Sequence, residues 1–306
     1  MAQVTVHHAL GLHMHQPPGN LRLLIDCAPL SAEQIIRCYE RVPRYVRRFP
    51  DHSRMHVGFS GTLLEQLREP DIVDRYRRIV DIPAILDSYA QTRNIEVIGM
   101  GYYHPPFPLI PPEDWEDHLG RGRQIITEVF GRAPQGFWPS EMAFSAKMVP
   151  ALAKAGYKYV IVDSTLLRSG DECVDPLRPY RLTVEDVSII AVPRDQELSH
   201  AQAMGLDLPS FMETIQRRAQ HLLPAEPPCL ITTWSDGENG GWFRQMHEQS
   251  GFFGHFFVPL MEHIAAGAID VEPVCLGDFV TEHPPTLDVE LRDPPPLPGG
   301  ASNLGH

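Results

Sequence analysis

Short apolar segments alternate with longer amphipathic segments along most of the 306-residue chain. This alternation constrains the fold most, because strands that alternate with helices build a parallel sheet covered by helices. The segments that predict strands are residues 4–13, 55–60, 95–101, 135–138, 157–163, 187–193, 230–234 and 269–274. So many strands in one domain favour closure into a β/α barrel over an open, doubly wound sheet.

The segments between these strands carry helix patterns and helix boundaries. The segments that predict helices are residues 31–49, 71–91, 113–130, 145–156 and 255–267. Ser31 and Gln34 have the spacing of a capping box at the start of a helix. Gly156 and Gly267 each close a segment where a left-handed residue would stop a helix. These helix start and stop signals therefore agree with the alternation of strands and helices.

The Pro-rich residues 284–306 show no apolar periodicity. Such a composition is typical of a flexible extension rather than of a packed element. We therefore predict one catalytic domain over residues 1–283 and a flexible tail over residues 284–306.

Composition limits the partners of this domain. The chain has 43% hydrophobic and 21% charged residues, as an ordinary soluble globular protein has, and its formal net charge is −13. Nucleic acids and anionic membranes are bound mainly by Lys and Arg, so both are disfavoured as partners. No phosphate-binding glycine motif follows the first strand or occurs elsewhere, so a nucleotide cofactor is not expected. A neutral ligand suits this balance, and the oligomeric state cannot be read from the sequence.

The five cysteines are scattered and form no CxxC pair. This spacing predicts neither a zinc site nor a redox pair, and it is typical of reduced thiols in a cytoplasmic protein. The N-terminal residues lack the basic and apolar regions of a signal peptide, so none is expected. No apolar run approaches the ~20 residues that span a bilayer.

Acids, histidines and tryptophans recur where the predicted strands end, which is where barrel enzymes place their chemistry. These residues are His13, His15, His104, Trp138, Glu141, Asp163, Trp234, Asp236, Glu238 and Trp242; Tyr102 and Tyr103 lie just before His104, and Glu96 lies inside the apolar stretch of the third strand. Aromatic rings stack on the apolar faces of sugars. Two carboxyl groups beside them are what glycosidic bond cleavage needs, one as nucleophile or base and one as acid.

Each of these residues also has a structural interpretation. A tryptophan near a strand end is more often core than sugar platform. Asp236 could serve as a turn residue that supports Gly237. Glu96, inside an apolar segment, could have a basic partner in the barrel wall. The HxH pair His13 and His15 could bind a metal or be a satisfied pair of core histidines. The recurrence of such residues at one barrel mouth favours function.

Four motifs match a known family in order and approximate spacing. HMHQPPGN, IEVIGMGYYHPP, GFWPSEMAFS and WSDGENGGW resemble the sequence regions of glycoside hydrolase family 57. From about residue 4 to 278 the chain is similar to the catalytic core of the family's α-amylases and 4-α-glucanotransferases. The resemblance implies an incomplete (β/α)7 barrel, similar to a TIM barrel, and a retaining mechanism on α-glucans. An α-1,4 linkage is preferred, with α-1,6 branching and α-galactoside activity as alternatives.

The resemblance also implies roles for individual residues. By motif position, Glu141 corresponds to the catalytic nucleophile and Asp236 to the general acid/base. His13 and His15 correspond to the paired histidines that line the sugar subsite. Ser140 stands where many members have a second proline.

The remaining predicted substrate contacts are two further acids and three tryptophans. Glu96 and Glu238 correspond to acidic residues that form hydrogen bonds in the site, and Trp242 falls near an aromatic position after the acid/base. Trp138 and Trp234 are predicted to stack on sugar rings.

Two other functions stay open. A metal-dependent deacetylase on a related barrel would use His13 and His15 as ligands, with His104, Asp163 or Asp236 as a third ligand. A non-catalytic carbohydrate-binding relative would keep the cleft without turnover. The glycosidase interpretation requires no metal and no other cofactor for its chemistry.

Overall fold

The computed structural model describes residues 5–219 and 228–292 and contains two connected sheets flanked by helices. The strands are β1 Val6–Met14, β2 Met55–Phe59, β3 Ile95–Ile98, β4 Gly136–Phe137, β5 Tyr159–Asp163, β6 Leu167–Ser169, β7 Glu172–Cys173, β8 Tyr180–Val184, β9 Val187–Arg194, β10 Cys229–Asp236, β11 Val271–Pro273 and β12 Asp288–Leu291. The helices are α1 Asn20–Cys27, α2 Pro29–Val46, α3 Gly61–Arg68, α4 Pro70–Tyr76, α5 Ile82–Gln91, α6 Trp115–Phe130, α7 Val149–Lys154, α8 Gln196–Met204, α9 Leu208–Ala219, α10 Gly241–Arg244, α11 Val258–Ala265 and α12 Leu276–Glu282.

Seven parallel strands form the barrel, in the order β10, β1, β2, β3, β4, β5 and β9. A parallel bridge from Gly99 to Phe137 joins β3 to β4. At the other end of the series, Asp195 N donates a hydrogen bond to Thr232 O and brings the end of β9 beside β10. The predicted incomplete barrel is therefore confirmed. Near-continuous burial along β1 explains its apolar run, because parallel strands are covered on both faces.

A mixed extension, which the strand pattern did not predict, continues the sheet beyond β9. β8 pairs antiparallel with β9, and β12 lies between β8 and β6. Because β12 comes from residues 288–291, the prediction of a flexible tail from residue 284 onward is wrong for this part. Residues 293–306 of the predicted tail lie outside the described residues.

Helix boundaries follow local capping chemistry. Gly156 and Gly267 have positive φ values of 87° and 64° after α7 and α11, so both predicted stops are confirmed. The first predicted start is wrong: α2 begins at Pro29, because proline with its fixed φ favours the first turn, and Ser31 lies inside the helix. The segment 71–91 is likewise two helices, not one. Asp81 caps the second of them by accepting a hydrogen bond from Ala84 N.

Large side chains fill the interior of the barrel. Trp234 on β10 is fully buried, and a Cβ on Gly11 of the paired strand β1 would lie 2.1 Å from its ring. Only glycine fits there without displacing the ring. The interior below the mouth is therefore packed core, as in other β/α barrels.

Two further sequence predictions concern the cysteines and membrane-spanning helices. All five cysteines are free thiols, and two of them, Cys38 and Cys229, are buried. Across residues 5–219 and 228–292, no helix is both long enough and apolar enough to cross a bilayer.

Candidate active site

The site lies at the carboxyl ends of the parallel strands. His13 near the end of β1 stands in register opposite Asp236, the last residue of β10. Gly58 of β2 is the register partner of His13 on the other side. Glu141 follows β4 by four residues, in a short 3₁₀ turn over Ser140–Met142. Since all these strands are parallel, their ends meet at one mouth, as the sequence predicted.

Glu141 occupies a strained and exposed position. Its φ is 55° and that of Met142 is 56°, both in the left-handed region that non-glycine residues rarely adopt. The Glu141 side chain is 73% exposed. Its Oε1 lies 3.3 Å from His104 Nε2. Unfavourable backbone conformations of this kind cluster at functional sites, where the surrounding structure holds them.

Three histidines form a stack beside Glu141. The His104 and His15 rings lie 4.2 Å apart at 18°, and the His13 ring lies 6.2 Å from that of His104. His15 Nδ1 hydrogen-bonds to Ser60 Oγ at 2.8 Å. Burial, followed by the repulsion of neighbouring imidazoles, lowers the pKa values of His15 and His104 to about 4. Both rings are therefore neutral at neutral pH.

The pKa of His13 responds to both predicted catalytic acids. Burial lowers the pKa of His13, while the negative charges of Asp236 and Glu141 act in the opposite direction. The same two carboxylates also act on His15. One imidazole pair therefore lies within the electrostatic reach of both acids, although β4 and β10 are far apart in the sheet order.

Asp236 ends β10 in a tight turn. Its Oδ1 accepts hydrogen bonds from Glu238 N and Asn239 N at 2.7 Å each, and its Oδ2 accepts one from Asn239 Nδ2 at 2.6 Å. This is the turn role that the sequence left open. The turn fixes the direction of the carboxyl group at the mouth, so a structural and a chemical role are compatible in this residue.

Glu238 is fully buried, which is incompatible with the direct substrate contact predicted for it. Its Oε1 accepts a hydrogen bond from His15 N at 2.5 Å, and its Oε2 accepts one from the Tyr39 hydroxyl. Burial raises the pKa of Glu238 to about 8, against the opposing effect of its hydrogen bonds and of Arg244. Glu238 therefore supports the site from the protein interior, through the hydrogen bond that it accepts from His15 N.

Glu96 lies at the other end of the barrel, so its predicted place in the sugar site is wrong. It is the second residue of β3, near the amino end of that strand, whereas the site is at the carboxyl ends. Its carboxylate accepts hydrogen bonds from Tyr159 OH at 2.7 Å and from Gly277 N at 2.9 Å. His56 Nε2 lies 3.4 Å away. The alternative of partners in the barrel wall is the one observed.

The predicted tryptophans form a buried stack and a rim residue. Trp138 packs between His13 and Trp234, with ring distances of 5.2 and 5.1 Å. Trp138 is 2% exposed and Trp234 is fully buried, so both belong to the core, which argues against the stacking on sugars predicted for them. Trp242 on α10 stays partly exposed.

The arrangement does not resemble a metal centre. Among the described residues, no group of three or more His, Cys, Asp or Glu side chains could hold a metal ion. His15 and His104 stack face to face, so their nitrogens do not converge on one point. Asp163, a predicted third ligand, instead caps the turn that follows it by accepting hydrogen bonds from Thr165 N and Oγ1.

Sequence reasoning missed His104 as a site residue outside the metal hypothesis. Its contact with Glu141 arises because β3 and β4 are neighbours, which no local pattern reveals. A usable signal was present, since His104 lies shortly beyond the predicted strand 95–101, on the carboxyl side where barrel enzymes place their chemistry. Tyr39 on α2 carried no such signal, because its hydroxyl reaches Glu238 from 199 residues away.

Comparison with known proteins gives a consistent result. Residues 29–290 match the family described as glycosyl hydrolase family 57. α-Amylase 1 of Dictyoglomus thermophilum is 30% identical over 162 residues, which cover 52% of this chain and 21% of that protein. The 4-α-glucanotransferase of Thermococcus litoralis is 25% identical over 258 residues, which cover 82% of this chain and 36% of that protein.

Solved structures share the fold. The crystal structure of the T. litoralis 4-α-glucanotransferase has a TM-score of 0.74 at 22% identity, covering 94% of this chain and 42% of that chain. A family 57-type branching enzyme from Pyrococcus horikoshii has a TM-score of 0.67 at 18% identity, covering 94% and 72%. The chain thus spans well under two thirds of the length of the two curated relatives.

Proposed function

The chain belongs to glycosyl hydrolase family 57, and from this membership we propose that it is a retaining glycosidase or transglycosidase acting on α-glucans, with α-1,4 linkages preferred. The names of its relatives, α-amylase and 4-α-glucanotransferase, support this substrate class. The observation that carries the proposal is that both acids lie beside one histidine cluster at the mouth. His13 is the register partner of Asp236, and His104, whose ring stacks with those of His13 and His15, lies 3.3 Å from Glu141 Oε1. Two carboxyl groups at one mouth are what glycoside hydrolysis requires.

In the proposed mechanism, Glu141 attacks the anomeric carbon and forms a β-linked glycosyl enzyme from an α-linked substrate. Asp236 gives its proton to the departing oxygen as the glycosidic bond breaks. In the second step Asp236 takes a proton from water or from a sugar hydroxyl. The oxygen of that molecule attacks the anomeric carbon, displaces the Glu141 carboxylate and restores the α configuration. Such a pair of carboxyl groups works at a separation of about 5–5.5 Å in the substrate complex.

The other site residues take supporting parts in this proposal. His13 and His15 are neutral, so they offer hydrogen-bonding groups to the sugar without forming ion pairs with the two carboxylates. Trp242 is partly exposed, unlike Trp138 and Trp234, so it is the tryptophan we propose for contact with sugar. Trp138 supports the ring of His13 from below.

Product sizing tests the function. Wild type and Glu141→Ala are incubated with maltooligosaccharides of one length. Shorter products alone indicate hydrolysis, and a ladder in both directions indicates transfer. We expect Glu141→Ala to lower the rate by about 10³-fold or more. Glu185→Ala is the matched control, since Glu185 is also exposed with φ 50°, in the β8–β9 turn, and should leave activity unchanged. An inactive wild type would refute the proposal.

Azide rescue separates the two acids. With α-maltosyl fluoride, whose fluoride departs without protonation, azide replaces the missing nucleophile in Glu141→Ala and gives the β-maltosyl azide. In Asp236→Ala the glycosyl enzyme still forms, and azide then attacks it to give the α-maltosyl azide. The reverse pattern of products would exchange the two roles, and no azide product from either variant would contradict the assignment.

A further inference from the structure

We propose that His104 is a positioning residue that holds the Glu141 carboxylate through a neutral Nε2–H donor. This inference rests on the proposed function, in which Glu141 is the nucleophile. The two side chains come from the segments that follow the neighbouring strands β3 and β4, and His104 Nε2 lies 3.3 Å from Glu141 Oε1. Hydrogen bonds of catalytic groups are often this long in the absence of substrate.

Glu141 needs such a support. Its side chain is 73% exposed, so water surrounds most of it and does not fix its rotamer, whereas the side chain of His104 is only 6% exposed. A nucleophile must approach the anomeric carbon along one line, and freedom of rotation lowers the fraction of time spent on that line. A fixed imidazole beside a mobile carboxylate supplies the missing restraint.

His104 is itself held in place. Its ring stacks on His15 at 4.2 Å, and His15 Nδ1 is bound to Ser60 Oγ at the end of β2. The backbone of His104 is kept at φ 57°, with its N–H donating to Gly101 O at 2.9 Å. A left-handed histidine is uncommon and persists only where neighbours maintain it. The support therefore runs from the rigid strand ends through His15 and His104 to Glu141.

The charge state suits the task. A carboxylate can only accept a hydrogen bond, so Nε2 must carry the proton when it binds Glu141. Burial and His13 lower the pKa of His104, against the opposing charge of Asp236, and the ring is neutral at neutral pH. The titratable groups that face it are His13, His15, Glu141 and Asp236. A neutral donor orients the carboxylate without cancelling the negative charge that makes it nucleophilic.

Three substitutions at this position test the proposal. His104→Ala removes the donor, His104→Gln keeps an amide N–H that reaches about as far as Nε2, and His104→Asn tolerates the left-handed backbone but is too short. We expect kcat on maltooligosaccharides to fall about 10- to 100-fold in the Ala and Asn variants, with KM changed less than about threefold. Gln should recover most of kcat. His118→Ala, a partly buried histidine on α6, is the control.

A double variant shows whether His104 acts through Glu141. In Glu141→Ala rescued by azide, adding His104→Ala should leave the rescued rate within about twofold, because no carboxylate remains to be held. A fall as large as in the wild-type background would overturn the proposal and give His104 a role of its own toward the substrate. Unchanged kcat in folded His104→Ala, or a Gln variant no better than Asn, would also overturn it. If Glu141→Ala itself stays active, it is the proposed function that fails.

Discussion

On the β10 side of the mouth the acidic residues have many partners, whereas on the β4 side Glu141 stands almost alone. Asp236 accepts three hydrogen bonds within its own turn, and Glu238 is buried between His15 and Tyr39. Glu141 is exposed, sits in a left-handed turn and is contacted by one imidazole. The two sides differ in the strands that hold them. β10 has eight residues and ends at Asp236, whereas β4 has two residues and ends before the turn that carries Glu141.

The difference indicates how such a site divides its needs. In the proposed mechanism Asp236, as acid/base, must keep a constant direction through two proton transfers, and a hydrogen-bonded turn provides this. Glu141, as the proposed nucleophile, must reach the substrate and later release it, so an exposed position with a single orienting contact suits it. Stability should therefore depend on the β10 side, and activity should depend on both sides.

Removing one glutamate from each side gives the largest expected contrast. Glu238→Ala should lower the free energy of unfolding by about 3 kcal/mol, because it leaves a cavity and removes the partner of the buried Tyr39 hydroxyl. Glu141→Ala should change it by less than about 0.5 kcal/mol, as exposed substitutions do. Urea unfolding of both variants measures this. Equal losses would show that the two sides are built alike.

The pH dependence of stability sharpens the comparison. The pKa of Glu238 is about 8 in the folded protein, above its ordinary value of 4.5, so folding favours its protonated form. Its contribution is complete below pH 4.5 and is lost as pH rises to about 8, at up to about 1.4 kcal/mol per pH unit. Glu238→Gln should remove this slope from urea unfolding measured at pH 5, 6.5 and 8.

Glu213→Gln on α9 is the control for this experiment, since Glu213 is exposed. Parallel pH curves for wild type and Glu238→Gln would contradict the buried, protonated state of Glu238. That result would also remove the reason for treating the β10 side as the more rigid one.

A smaller effect tests the strain on the β4 side. Since Glu141 has φ 55°, Glu141→Gly should be more stable than Glu141→Ala by about 1 kcal/mol, because glycine adopts this conformation without steric cost. The order should reverse at Glu213, where the backbone is helical and alanine is favoured. Thermal or urea unfolding of the four variants decides it. If the alanine variant were the more stable one at both positions, the turn at Glu141 would be unstrained.

Local patterns were enough for the strands and for several helix ends. Apolar runs located all seven barrel strands, and Gly156 and Gly267 marked helix ends, because each signal is carried by the residues that respond to it. The prediction failed for the C-terminal strand. Residues 287–292 alternate apolar and polar side chains as a strand does, but the Pro-rich composition around them indicated a flexible tail, and only the pairing with β8 and β6 shows that the strand forms.

The site shows the same division. The order of the strand ends let the sequence place His13, His15, Glu141 and Asp236 at one mouth. The predicted strand 95–101 already had Glu96 near its amino end, so it was the motif resemblance and not the strand pattern that assigned Glu96 to the sugar site. The sequence could not tell that Glu238 faces inward to Tyr39 while Glu141 faces solvent.

By itself, the sequence determined the barrel, the mouth and the chemical type of the residues gathered there, because periodicity and motif spacing are properties of neighbouring positions. Only the tertiary structure decided which of those residues are buried, which are exposed and what holds each of them. Burial and support depend on contacts such as His104 with Glu141 and Tyr39 with Glu238, which join parts of the chain 37 and 199 residues apart.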